Sequence, residues 1–230
     1  MNLFLSREGY FKKITPQSLR MSGEQKYKEG DGPAAEFEAT NRSELLIFTD
    51  RCQVYKTSCA DFEDCKASLL GDYLPTKLGM DEGENVFALV LPGEYEGNIL
   101  FVYENGKVAK VSLETYQTKT NRRKLTGAYA DRSPLKAIIP LPDGDEQVVL
   151  YSNEGRALIF NSAQLAVKAT RTCQGVAVMT LRRKHLLSRA ELLGDSSIKN
   201  VSRYRTRTLP VIGALLKEED TGEEQIELPL

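Results

Sequence analysis

Four short groups of basic residues hold the pattern in this sequence most suited to chemistry. They are Lys119, Arg122, Arg123 and Lys124 in "KTNRRK", Lys168 and Arg171 in "KATR", Arg182, Arg183 and Lys184 in "RRK", and Arg203, Arg205 and Arg207 in "RYRTR". Lys and Arg neutralise phosphates and release counterions, an attraction that tolerates any sequence and weakens with salt. The Thr, Asn and Tyr residues between them can donate to the same phosphates, which positions a duplex without reading its bases. The chemistry implied is grip on a phosphate backbone, duplex DNA above all. Any one group reads equally well as a solvated face, so the weight lies in their recurrence.

Other chemistries find little support. Cys52, Cys59 and Cys65 are spaced too widely for the close pairs of a structural zinc site, and Cys173 stands far off. Free, reduced thiols are expected. His185 is the only histidine, and no Ser/His/Asp set or convergent carboxylate pair suggests an active centre. No catalytic residue and no metal site is assigned.

The net charge of −1 conceals a strong asymmetry. Residues 1–116 carry 13 Lys and Arg against 19 Asp and Glu, residues 117–210 carry 17 against 7, and residues 211–230 carry one against 6. That skew predicts a basic surface followed by an acidic tail. No stretch is apolar enough to span a membrane. "MNLFLSREGYFKK" has no charged leader followed by an apolar core, so no secretory signal is expected and the protein should be cytoplasmic.

The elements that must position the basic groups come from a repeat. "LFLSREGYFKKI" (3–14), "LIFTDRCQVYKT" (46–57), "ILFVYENGKVAKV" (99–111) and "VLYSNEGRALIF" (149–160) each give an apolar run, a polar turn and a second apolar run. Spacings of 43, 53 and 50 residues between Leu3, Leu46, Ile99 and Val149 suit a propeller-like array of multi-stranded blades. Weaker strands are expected at 34–41, 85–92 and 136–143, and "GVAVMTLRRK" (175–184) should open an altered fifth copy. "HLLSRAELL" (185–193) is the best helix candidate. Gly9, Gly106 and Gly155 supply the positive φ of tight hairpin turns. Cys52 in the second copy implies another turn type or a strained one. Phe11, Val54, Val108 and Leu158 should be core.

These repeats, with "YQTKTNRRKLTGAY" and "SNEGRALIFN", resemble the C-terminal domain of the A subunit of bacterial type IIA topoisomerases, the family of DNA gyrase and topoisomerase IV. "SRYRTRTLPVIGALLKEEDTGEEQIEL" is similar to the end of a gyrase-A-type chain in clostridia-like bacteria. The resemblance spans essentially the whole sequence. It implies an all-β fold, a β-pinwheel of four-stranded blades that exchange strands, covering residues 1–210. Residues 211–230 would form an acidic C-terminal segment with room for a closing strand, "QIEL" being one candidate. The implied function is binding and bending duplex DNA around a basic rim, presenting a segment to a cleavage core. The implied partners are double-stranded DNA, the cleavage domain and the ATPase subunit, with no membrane. Cleavage chemistry, ATP and magnesium would belong to other parts of the holoenzyme, and none of the ten tyrosines is assigned to strand cleavage.

One departure from the family stands out. Gyrases carry a basic, glycine-rich box, Q-R-R-G-G-K-G, in the first connection between blades. The matching "LRMSGEQKYKEGDG" (19–32) keeps Gln25, Lys26 and Lys28 but adds Glu24, Glu29 and Asp31. Acids facing the same phosphates would break the track there, which favours a topoisomerase-IV-like role or a divergent gyrase. Lys12 and Lys13, in the acidic half, are expected to matter far less for DNA than Arg122, Arg123 and Lys124. A propeller-type protein-interaction module is the alternative reading.

Overall fold

The computed structural model describes residues 1–119 and 122–222, almost all in short strands and turns. The chain divides into two compact units, one of Met1–Glu96 with Tyr116–Tyr129, the other of Gly97–Thr115 with the chain from Ala130 onward.

Strands β1 (Asn2–Ser6) and β2 (Tyr10–Ile14) form the first hairpin, and β3 (Pro33–Glu38) leads to the second, β4 (Glu44–Thr49) with β5 (Gln53–Ser58). Then come β6 (Asp72–Tyr73), β7 (Val86–Val90), the third hairpin β8 (Asn98–Tyr103) and β9 (Lys107–Ser112), β10 (Lys124–Thr126) and β11 (Leu135–Leu141). The fourth hairpin, β12 (Gln147–Ser152) and β13 (Arg156–Asn161), is followed by β14 (Val167–Lys168), β15 (Val176–Ala177), β16 (Leu187–Leu192) and β17 (Ala214–Leu215).

Four sheets result, two in each unit. Their orders are β3-β1-β2-β6 and β10-β5-β4-β7 in the first, then β11-β8-β9-β14 (with β15 also on β9) and β16-β12-β13-β17 in the second. One rule generates all four. Each hairpin takes one flanking strand from the connection that follows it, and its edge strand from a connection further along the chain. The expected weak strands are present as β3, β7 and β11, but each pairs with the hairpin before it. The ladder to that flanking strand slips at the same place every time, between Leu5 and Ser6, Phe48 and Thr49, Leu135 and Ala137, and Tyr151 and Ser152. A bulge there bends the strand and sharpens its twist before the turn.

The hairpins hold the core. Leu45, Leu46, Ile47 and Phe48 are fully buried, as are Ile99, Leu100, Phe101 and Val102. Both faces of these strands are covered, which is why they read as continuous apolar runs instead of alternating ones. Phe11, Val54, Val108 and Leu158 are all core, as their position beside the turns predicts.

Two expectations are overturned. "HLLSRAELL" contains β16, whose residues Leu187–Leu192 pair with Ser152–Val148. Its helix-favouring side chains yield to the unpaired edge of β12, a case of tertiary pairing overriding propensity. "GVAVMTLRRK" does not open a unit; its Val176 and Ala177 complete the third sheet on β9. The altered fifth copy thus finishes the third and fourth blades, with no hairpin of its own among the described residues. Cys52 makes the same left-handed turn as the glycines, at φ 56° against 90°, 80° and 75° for Gly9, Gly106 and Gly155. Its backbone is strained and held, its amide donating to the Tyr129 hydroxyl (3.2 Å) and its carbonyl accepting from the Ala128 amide (2.8 Å).

Candidate nucleic-acid interface

The edge segment of each blade meets its hairpin twice. The first touch is a parallel bridge four residues past the turn residue, Lys13 with Asp64, Lys110 with Val167 and Ile159 with Arg205. The second is a short antiparallel pairing just past the turn, through Asp72–Tyr73, Val176–Ala177 and Ala214–Leu215. Between the two touches the chain arches over residues 65–71, 169–175 and 206–213, the last making a parallel bridge to Met179 at Val211. Each arch re-enters through a glycine, Gly71, Gly175 or Gly213, at φ +86°, +72° and +78°. A Cβ at these glycines would stand within 2.6 Å of the carbonyl oxygens of Phe11, Val108 and Ala157. No other residue fits so close an approach.

In the second blade the corresponding pairs are Gln53 with Thr126 and Val54 with Leu125, and the residue before them, Lys124, also pairs with Tyr55. Lys124 therefore occupies the place of the glycine, and the arch before it bears Lys119, Arg122 and Arg123. Positions 120 and 121 lie outside the described residues.

Three of the four basic groups thus share one structural place. Lys119, Arg122, Arg123 and Lys124 line the arch of the second blade; Lys168, in β14, opens that of the third, which bears Arg171, and Arg205, the bridge residue, opens that of the fourth, which bears Arg207. Arg203 stands just ahead of it in α1 (Val201–Tyr204). The first blade differs: its arch, "CKASLLG", brings only Lys66 and follows Glu63 and Asp64.

The group Arg182, Arg183 and Lys184 lies elsewhere, which corrects the expectation that all four groups are equivalent. It precedes β16, beside the turn of the fourth hairpin, where Arg182 is paired with Glu154 at 2.9 Å. It lies just ahead of Leu186, which holds the place of Gly32, Asn85 and Pro134 in the other blades. In each the carbonyl accepts an amide from the hairpin turn, as Leu186 accepts from Asn153. Lys184 itself is left-handed at φ 72°.

Not every cation is available. Arg171 donates to the Thr115 carbonyl (3.0 Å), Arg203 to the Leu215 carbonyl, Arg205 to Gln147, and Lys124 to Asp81 (2.9 Å). The side chains of Lys119, Arg122, Arg123, Lys168, Arg183, Lys184 and Arg207 are exposed and have no hydrogen-bonding partner among the described residues. Arg123 also borders a cleft of ≈ 270 Å³ in the first unit with Lys56, Lys77, Phe62 and Leu78.

Buried and half-buried lysines fix the frame beneath the arches. Lys13, Lys56 and Lys110 occupy one repeat position, and Lys13 and Lys110 are 5% and 4% exposed. Lys56 Nζ donates to the Tyr116 carbonyl (3.0 Å) and Thr118 Oγ1 (3.1 Å), anchoring the chain just before Lys119. Burial lowers its pKa. The fourth blade has Ile159 there and anchors its arch otherwise. Tyr204 Oη donates to Asp220 Oδ2 (2.7 Å), and the same carboxylate accepts from the amides of Lys199 and Asn200. Burial alone would raise the pKa of Asp220, but these donors outweigh it and hold the group ionised. Asp220 is thus a structural acid and not a free tail charge. The strand in the C-terminal segment is Ala214–Leu215; "QIEL" lies outside the described residues.

The connection 19–32 is folded onto the first blade. Lys12, 3% exposed, donates to Gln25 Oε1 (3.2 Å), the Lys26 carbonyl (2.7 Å) and the Ala67 carbonyl (2.9 Å). Lys28 pairs with Glu8 at 2.7 Å. Of the box residues, only the Lys26 side chain is exposed without a partner among the described residues. Asp31 faces inward and accepts from the amides of Glu8 and Gly32. Its role is to close a turn, contrary to the expectation that it faces phosphates. Lys12 and Lys13 are internal supports, so they are no surface control for the basic arches.

Among the described residues no cluster of His, Cys, Asp and Glu could hold a metal ion, and no helix is long and apolar enough to cross a membrane.

No protein-family model matches the chain. It is 20% identical over 210 residues, 87% of its length, to the DNA gyrase A protein of Synechocystis sp., and 25% identical over 177 residues to the chloroplastic/mitochondrial DNA gyrase A protein of Arabidopsis thaliana. It spans only 24% and 16% of those two proteins. In structure it is similar to the C-terminal domain of DNA topoisomerase IV, with a TM-score of 0.77 at 21% identity, covering 93% of this chain and 71% of that one. The E. coli ParC C-terminal domain gives a TM-score of 0.69 at 14% identity, covering 94% of each chain. The DNA gyrase A C-terminal domain gives 0.61 at 14%, covering 95% of this chain and 79% of that one. The chain is a homologue of DNA gyrase A proteins whose fold is the β-pinwheel of the gyrase A and topoisomerase IV C-terminal domains.

Proposed function

We propose that this chain is the non-catalytic DNA-binding domain of a type IIA topoisomerase, gripping duplex DNA on the basic arches and bending it toward a cleavage core. One observation carries the reading: the second, third and fourth blades present Arg and Lys from the same arch, so a repeat of the fold becomes a repeat of phosphate contacts. Several contacts are needed, because bending a duplex through a modest arc costs on the order of 1–6 kcal/mol. Cleavage, ATP and magnesium are assigned to other parts of the holoenzyme, and the DNA role places the protein in the cytoplasm with the nucleoid.

The absence of a basic glycine-rich box favours bending without strong chiral wrapping, as a topoisomerase-IV-like protein or divergent gyrase would do. Support comes from the connection 19–32, whose Gln25 and Lys28 are committed to Lys12 and Glu8.

The test is a salt titration of duplex binding. With six to ten phosphates engaged, affinity should fall by roughly 10³–10⁵ between 50 and 200 mM salt. Affinity indifferent to salt would replace this reading with the protein-interaction module. Ligating nicked circular plasmid in the presence of the protein should leave linking number little changed; a large shift would restore the gyrase-like reading.

A further inference from the structure

Lys124 stands where the other arches have a glycine, and its ammonium is already occupied. Asp81 Oδ2 accepts from Lys124 Nζ at 2.9 Å and from Gln53 Nε2 at 3.0 Å. Arg51, at the tip of the second hairpin, lies over Gly83, two residues beyond Asp81, and makes no ion pair with it. One cation and an amide donor converge on a single carboxylate, 53% exposed. Their convergence would equally suit a phosphate oxygen.

Asp81 is mounted, not adrift. Its amide donates to Glu84 Oε2 at 2.9 Å, and Glu84 is buried, accepting also from Tyr55 Oη (2.8 Å) and Thr49 Oγ1 (2.5 Å). Tyr55 in turn lies under Lys124, whose ammonium is 5.4 Å from the ring centroid. The backbone of the acid and the ring beneath its cation are thus held by one buried network, while the carboxylate itself is exposed and free to swing aside.

Resting on the DNA-binding reading above, we propose that Lys124 and Gln53 form a phosphate site of the second blade that Asp81 occupies in the free protein. DNA must displace the carboxylate to engage the site, so Asp81 sets how tightly this blade grips.

The experiment compares duplex affinity and its salt dependence for the wild-type chain, Asp81→Asn, Glu82→Gln and Asp81→Asn in a Lys124→Ala background. Thermal melts establish that each is folded. Asp81→Asn should bind about two- to fivefold tighter, the range spanned by an exposed ion pair. Its log–log salt slope should steepen by about 0.9, one phosphate more. Glu82 is exposed and has no ion-pair partner among the described residues. Glu82→Gln makes the same charge change one residue away and should leave the slope unchanged, and removing Lys124 should abolish the gain. Equal gains in Asp81→Asn and Glu82→Gln, or an unaltered slope in Asp81→Asn while the wild type binds DNA, would overturn the proposal and leave the DNA reading intact. Failure of every variant, wild type included, to bind duplex would overturn both.

Discussion

Lys110 Nζ lies 2.5 Å from Asp145 Oδ1, inside the third blade, with the ammonium also donating to the Ser162 carbonyl at 3.1 Å. The lysine is 4% exposed and the aspartate 38%. Lys13 meets Asn41 and Asp64 from the same repeat position, and Lys56 meets Tyr116 and Thr118. A charge placed inside each of these blades ties the strand to the connection that passes over it.

Replacing Lys110 with Met should therefore destabilise the protein by about 2 kcal/mol, the scale of a charge-assisted hydrogen bond partly open to solvent. The hydrogen bond from Lys110, then that from Ser162, holds the Asp145 carboxyl below its ordinary pKa. A lowered folded-state pKa gives stability above the unfolded value near 4 that is lost as pH falls through the folded value. Urea melts at pH 7 and pH 3 should show a smaller acid-induced loss in Lys110→Met than in wild type. An equal loss would mean that the pair contributes nothing.

Gly71, Gly175 and Gly213 should each resist substitution by alanine more than Gly30 or Gly144. All five have positive φ, but only the first three would drive a Cβ against a backbone carbonyl. Left-handed strain alone costs roughly 1–2 kcal/mol. Gly175→Ala should exceed that range in chemical denaturation, and Gly144→Ala should stay within it. Equal losses would show that the arches can shift to make room.

At the second hairpin the expected change has the opposite sign. Cys52→Gly removes a left-handed side chain at φ 56° and should stabilise the protein by up to about 1 kcal/mol. The midpoint of a urea melt reads this directly, and a clear decrease would mean that the thiol's packing outweighs the strain.

Arg122, Arg123 and Lys124 changed together to Glu should weaken duplex binding far more than Arg20 and Arg42 changed to Glu. All five are exposed in the first unit, but only the first three belong to an arch. Lys12→Glu and Lys13→Glu, by contrast, should lower the melting temperature, since each turns a carboxylate toward the acceptors that now receive a buried ammonium. Equal loss of DNA affinity from the two surface sets would show that general charge, not the arch, governs binding.

The sequence by itself determined the four hairpins, their core residues and the turn positions, because these rest on local causes. Apolar runs bury both faces of a strand, and a glycine supplies a left-handed turn wherever it stands. What the sequence could not reveal was decided by pairing between distant segments. Asp72–Tyr73 and Ala214–Leu215 are too short to carry a periodic signal, and they are strands only because a hairpin edge lies waiting. Leu187–Leu192 reads as helix until the edge of β12 claims it. The same holds for charge. Lys12, Lys13, Lys56 and Lys110 look like surface residues by type alone. Their contacts with Ala67, Asn41, Tyr116 and Ser162 make them supports, whereas Arg122, Arg123 and Arg207 stay exposed on the arches.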